Sequence, residues 1–157
     1  MNNTSFSCYK FRTMHPQSKY LLKEILIKNP DLKNQFSETR KIINDPRITK
    51  IGRFLRLSSL DELPQIFNVF KGDMSFIGPR PIVKSEIKKY GTNFQKVFSV
   101  KPGISGLWQV SGRNKLSYKK RVELDIIYSE NISFLLDIKI FIKTIYIILF
   151  PYGKGAF

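Results

Sequence analysis

The sequence predicts an α+β fold dominated by helices: a single domain with amphipathic helices suited to an interface and a few short strands. Three observations predict it. Apolar residues recur at helical spacing along much of the chain, as at Leu21, Leu22, Ile25 and Leu26. Apolar runs without that spacing are short and bounded by glycine or proline, as at 74–77 between Gly72 and Gly78. The 157 residues give room for one compact core, and a hydrophobic content of 42% argues against disorder.

In order, residues 6–14 alternate loosely through Phe6, Tyr9 and Phe11 and predict a short strand. Residues 17–29 predict a helix, and 32–43 continue in a weaker helical pattern until Asn44-Asp45-Pro46 turns the chain. Residues 48–57 place Ile48, Ile51, Phe54 and Leu55 on one helical face and Lys50, Arg53 and Arg56 on another. That basic amphipathic pattern suits a phospholipid headgroup layer or an ordinary solvated helix. Gly52 makes this helix less regular. Across 58–70, Leu60, Leu63, Ile66, Phe67 and Phe70 predict a buried helical face, with Ser59 and Glu62 as a capping box. Pro64 is best tolerated in a first turn, so this helix begins near Leu60 or Asp61. Gly78-Pro79-Arg80-Pro81 predicts a stiff loop, 82–100 a helix interrupted near Gly91, and 101–114 a glycine-punctuated loop holding Trp108. Helices over 117–131 and 133–150 close the chain.

Lys and Arg total 27 against 12 acids, so the partner is anionic: nucleic acid, anionic lipid or a phosphorylated substrate. The single Cys8 rules out an intrachain disulfide, and with His15 also alone there is no zinc spacing. Residues 1–10 are too short and polar for a signal peptide. The most apolar stretch, 132–150, is broken by Asp137, Lys139 and Lys143. It is expected to lie on a bilayer and not to span one.

The chemistry concentrates at Asp61-Glu62. Adjacent carboxylates on a helix often do no more than cap it. At a helix start among basic residues, an ionised Asp61 can instead attack phosphorus and form an acyl phosphate, while Glu62 holds Mg2+ against phosphate oxygens. Arg80, stiffened between two prolines, presents a fork matched to phosphate, or is an exposed loop arginine. Lys10 and Arg12, two apart in the predicted strand, share one face. Gly103, Gly106 and Gly112 suggest a loop whose amides cradle phosphate.

Together, Tyr9-Lys10-Phe11-Arg12-Thr13-Met14, Asp45-Pro46-Arg47-Ile48-Thr49, Ser59-Leu60-Asp61-Glu62-Leu63-Pro64-Gln65, Gly72-Asp73-Met74-Ser75, Gly78-Pro79-Arg80-Pro81 and the run 101–114 closely resemble, in order, the bacterial sugar transferase family. These are monotopic polyprenyl-phosphate phosphoglycosyl transferases, and the likeness reaches the closing Gly155-Ala156-Phe157. The resemblance implies transfer of a sugar 1-phosphate from a UDP-sugar to undecaprenyl phosphate with release of UMP. The reaction would run at the cytoplasmic face of the bacterial inner membrane and begin exopolysaccharide, capsule or O-antigen (lipopolysaccharide) synthesis. It implies Asp61 as nucleophile, Glu62 with magnesium and Arg80 on phosphate. Lys10 and Asp137 fall on positions the family pattern keeps, and Arg12 and Arg56 are candidate phosphate or headgroup contacts. The segment from Met14 to Asp45 and the run Pro81-Ile82-Val83-Lys84-Ser85-Glu86 are most similar to the branch acting on galactose or glucose.

Family members also carry a re-entrant membrane helix and a strand-rich stretch before the Lys-Phe-Arg-Thr-Met block. Here Met1 stands nine residues before Lys10, so 1–157 is expected to be an N-terminally truncated catalytic domain. It would be peripheral on the membrane, held by its own helices, by a homo-oligomer or by a partner chain supplying the anchor. The alternative is a non-catalytic remnant or assembly subunit of the same fold. Ile132 replaces a tryptophan usual in the family, which bears on membrane seating. Nucleic acid is disfavoured as a partner, because a carboxylate pair among the basic residues repels a phosphate backbone.

Overall fold

The computed structural model describes residues 5–39, 42 and 44–150. Helices dominate, joined by one two-stranded parallel sheet among the described residues, so the expected fold class holds. The end of the expected helix over 32–43 and the closing Gly155-Ala156-Phe157 lie outside them.

Helices α1 (Ser18–Lys28) and α2 (Pro30–Thr39) form a hairpin. Asn29 is extended, and Pro30 takes the first position of α2, where its missing amide hydrogen is not needed. The Leu21, Leu22, Ile25 and Leu26 face is half-buried, while Tyr20 and Ile27 stand exposed. After the turn at Asn44, Arg47 closes a buried ion pair with Asp45, Nη2 to Oδ2 at 2.6 Å. Burial pushes the Asp45 carboxyl up, but the Arg47 side-chain and backbone donors outweigh it and hold the group below its ordinary range.

Residues 6–14 do not form the expected strand. The segment takes no regular structure apart from one bridge, which pairs Met14 with Ile48. That pairing delays α3 to Lys50–Ser58, capped by Thr49 Oγ1, which accepts from Gly52 N at 2.8 Å. Gly52 is explained by the same crossing: a Cβ there would sit 2.0 Å from the Thr13 carbonyl oxygen.

Residues 58–70 are not one helix. Leu60–Glu62 is a separate 3-10 turn, Leu63-Pro64 turns the chain, and α4 runs Gln65–Phe70. Pro64 therefore caps α4 and leaves both carboxylates one turn ahead of it. The capping box does not form, since the Ser59 side chain makes no cap bond. The predicted buried face is reversed. Leu63, Phe67 and Phe70 are 48%, 66% and 83% exposed, whereas Gln65 and Asn68 are 2% and 0%.

Strand β1 (Ser75–Ile77) pairs in parallel with β2 (Gly103–Ser105), Ser75 against Gly103 and Ile77 against Ser105. The expected loop over 101–114 thus contains a strand and helix α7 (Leu107–Ser111). Its glycines serve close packing: a Cβ at Gly103 would meet Gly78 N at 2.1 Å, and one at Gly106 would meet Gly78 O at 2.2 Å. The Gly103 amide donates to the Pro79 carbonyl at 2.9 Å and the Gly112 amide to Trp108, so neither is left for a phosphate cradle. The predicted helix over 82–100 breaks into short pieces, including α5 (Ile87–Tyr90) and α6 (Phe94–Val97), around Gly91 at φ 53°.

Helices α8 (Tyr118–Glu130) and α9 (Phe134–Leu149) fall where the periodicity placed them. One core cluster joins Ile77, Tyr128 and Ile140; another joins Tyr90, Val97 and Val122 against Phe94 and Phe98. Of α9 only Ile140 is buried, while Phe134, Leu135, Ile142 and Leu149 are each at least 60% exposed. Among the described residues no helix is long and apolar enough to cross a membrane.

Candidate active site

Segment 7–13 is strapped over the carboxylate turn. Asn68 mimics a neighbouring strand: its Oδ1 accepts from Tyr9 N at 3.0 Å and its Nδ2 donates to Ser7 O at 2.8 Å. Two residues further on, Phe11 N donates to the Asp61 carbonyl at 2.9 Å. Between these pins, Lys10 forms an ion pair with Glu62. The adjacent carboxylates thereby differ. Glu62 is engaged, whereas no hydrogen bond links the Asp61 carboxylate to another described residue.

Asp61 is half-buried, and burial first and the Glu62 charge second push its carboxyl up; Lys10 and Arg56 oppose them. Arg56 is held near by its own bond, Nε to Thr13 Oγ1 at 2.9 Å.

Beside this turn opens a cavity of about 720 Å³. Lys10, Glu62, Gln65, Arg80 and Gln109 form a polar part of its wall; Ile82, Phe94, Phe98 and Ile104 form an apolar part. Its size is that of sites that enclose a small organic ligand. Arg80 is exposed, with its guanidinium 5.9 Å from the Trp108 ring, and Arg121 lies 4.9 Å from the same ring.

Residues 1–151 match the family described as bacterial sugar transferase. The chain belongs to that family. It is 49% identical over 144 residues to a UDP-galactose-lipid carrier transferase of Erwinia amylovora, covering 92% of this chain and 30% of the relative. The same identity and coverage relate it to an undecaprenyl-phosphate galactose phosphotransferase of Salmonella typhimurium. An exopolysaccharide production protein of Rhizobium meliloti is 46% identical over 92% of this chain and 64% of its own length. The chain thus spans under a third of the first two relatives.

In this sugar transferase the structure brings Lys10, Glu62 and Arg80 together on the cavity wall; Asp61 does not line that wall but adjoins it beside Glu62, within the fields of Lys10 and Arg56. The structure does not bring in Arg12, which is exposed and absent from the cavity wall. Asp137 is also away from that wall. It accepts the Tyr128 hydroxyl at 2.8 Å in the first turn of α9 and ties that helix to α8.

Two groups were missed. Arg113 donates from Nη2 to Ser59 Oγ at 2.9 Å, and both residues hold left-handed backbones, φ 52° and 59°. Such strain in residues other than glycine concentrates at functional sites. Burial lowers the Arg113 guanidinium pKa while the charges of Glu62 and Asp61 pull it back up, so both carboxylates act on its charge. The only sequence signal was its place in the matched Ser111-Gly112-Arg113-Asn114 run. The second is Asp125, fully buried, whose Oδ2 accepts the Tyr90 hydroxyl at 2.8 Å. It looked like one more charge on a helix.

Proposed function

We propose that this chain transfers a hexose 1-phosphate, with galactose or glucose as the hexose, from a UDP-sugar to undecaprenyl phosphate. The observation that carries the reading is the unequal carboxylate pair: Glu62 tied to Lys10, and Asp61 unengaged beside a basic cavity.

Asp61 attacks the phosphorus that bears the sugar. The bond from that phosphorus to the UMP oxygen breaks, UMP leaves with the electron pair, and a phosphosugar–aspartate remains. An oxygen of undecaprenyl phosphate then attacks the same phosphorus and expels the Asp61 carboxylate, giving the diphosphate-linked lipid. Lys10 and Arg80 offset the negative charge of two anionic substrates that meet in succession. Burial and the Glu62 charge raise the Asp61 pKa, which makes its anion a stronger nucleophile.

The donor set suits magnesium, which is ordinarily held by one or two carboxylates together with substrate phosphates. Among the described residues no three His, Cys, Asp or Glu side chains converge, so Glu62 would hold the ion with the donor's own oxygens. When bound, it would neutralise phosphate charge. The relatives' names, a lipid carrier transferase and an undecaprenyl-phosphate phosphotransferase, support the acceptor. Exposed apolar side chains on α3, α4 and α9 support a peripheral seat on the inner membrane, with the site at its cytoplasmic face.

Asp61→Asn in membranes supplied with UDP-galactose or UDP-glucose is expected to abolish UMP release, and mass spectrometry of the trapped parent enzyme should place a phosphosugar on Asp61. Normal turnover by the variant, or a label on another residue, overturns the mechanism.

A further inference from the structure

Gln65 and Asn68 are both carboxamides on the inward side of α4, and both are almost wholly buried, at 2% and 0% exposure. Asn68 spends both ends on the chain, on Tyr9 N, Ser7 O and Asp73 Oδ2. Gln65 spends neither: no hydrogen bond links its carboxamide to another described residue. Its side chain lines the cavity instead, three positions after Glu62 and on the same wall as Lys10 and Arg80. Its amide is not sealed away from solvent, unlike Gln109 Oε1, so it meets the cavity with its hydrogen-bonding capacity open to a ligand or water.

Gln109, on the same wall, shows half of this pattern. Its Nε2 donates to the Ile104 carbonyl at 3.2 Å, while its buried Oε1 has no partner among the described residues. The cavity thus offers two kinds of recognition. Lys10 and Arg80 provide charge for phosphate. A carboxamide provides a donor and an acceptor side by side, which phosphate does not need and a neutral polar edge does.

We propose that Gln65, assisted by Gln109, reads a neutral hydrogen-bonding edge of the sugar nucleotide, either the hydroxyls of the hexose or the base and ribose of the nucleoside. The proposal rests on the transfer reading for the class of ligand. It adds that part of the donor's affinity comes from uncharged groups, and it names the residue that supplies the contact. Hexose and nucleoside both flank the diphosphate, so either can reach a side chain one turn beyond Glu62. A site built around such bonds discriminates, most strongly at Gln109, whose buried Oε1 the wrong ligand leaves unpaired.

The test is equilibrium binding, without turnover, by the full chain in membrane nanodiscs. UDP-galactose, UDP-glucose, UMP and hexose 1-phosphate are titrated in turn into the parent and Gln65→Met. Methionine keeps the length and removes both hydrogen-bonding ends. Affinity for the UDP-sugars is expected to fall at least tenfold. A matching loss for UMP assigns the contact to the nucleoside, and a loss for hexose 1-phosphate assigns it to the sugar. Unchanged affinity for every ligand, with an unchanged melting temperature, means that water alone satisfies Gln65 and overturns the proposal. Should Gln65→Met fail to fold, Gln109→Met carries the same test with a smaller expected loss, and unchanged binding there overturns it equally. A parent that binds no nucleotide overturns this inference and the transfer reading together. Binding lost in Gln65→Met while Asp61→Asn still turns over leaves the inference standing and removes only the mechanism.

Discussion

The two sides of α4 are built from opposite materials. Inward lie Gln65, which lines the cavity, and Asn68, which pins the strap carrying Lys10; outward lie Phe67 and Phe70, largely exposed. In α8 the usual order holds, with Val122 and Tyr128 turned into the core. The difference teaches that α4 does not separate a core from water. It separates a polar cavity from exposed apolar rings, the arrangement that the proposed seat on a membrane calls for, and the carboxylate turn stands at its N-terminal end, between the two.

The largest effect should come from the polar side. Asp61→Asn is expected to reduce UMP release by on the order of 10⁴-fold or more, as loss of a covalent nucleophile does. Glu62→Gln should reduce it less, since it leaves the nucleophile in place and frees Lys10. An inverted order would mean that Glu62 is the attacking group. Arg113→Met should follow, at about 10²-fold, the scale of one electrostatic support removed near the reacting charge. Arg113→Lys should recover only part, because a compact ammonium cannot both hold Ser59 Oγ and keep the spread charge of a guanidinium in the field of the carboxylates. Full recovery by lysine would reduce Arg113 to a point charge.

The sequence was legible where helical spacing runs unbroken over the whole element, whatever covers its apolar face. The periodicities over 17–29, 117–131 and 133–150 recovered α1, α8 and α9 within a residue or two. At α4 the same rule named the apolar residues correctly and turned them the wrong way, because periodicity reports a face and not what covers it. Asp61, Glu62, Lys10 and Arg80 were legible as charges in matched blocks. Arg113 and Gln65 were not. The Arg113 partner, Ser59, lies 54 residues away in the chain. Gln65 is informative only because its amide finds no partner, which no linear pattern displays. Gly103 and Gly106 were read as part of a loop whose amides cradle phosphate, when what they answer is close approach to Gly78.

The apolar side gives a smaller effect of a different kind. Replacing Phe67 and Phe70 together by Ser should weaken cosedimentation with vesicles containing anionic lipid, at roughly 2 kcal/mol for each side chain taken from water. The melting temperature without lipid should stay nearly constant, because both rings are already exposed. A lower melting temperature with undiminished cosedimentation would show that these rings pack on protein, and the contrast across α4 would fail.

The smallest effect tests the other reference, α8. Burial pushes the Asp125 carboxyl up to about 7, against the Tyr90 hydroxyl bond and the Arg80 contribution that pull it down. The unfolded carboxyl titrates near 3.8, so between the two values the folded chain binds more protons than the unfolded one. Stability therefore falls as pH rises through that window and levels off above about 7. Asp125→Asn keeps an oxygen for Tyr90 and removes the ionisation, so its melting temperature should decline less between pH 4 and 7 than that of the parent. Identical slopes would show that Asp125 stays charged throughout, held by Arg80. The inward face of α8 would then carry a buried anion, and its contrast with the polar wall of α4 would be one of degree.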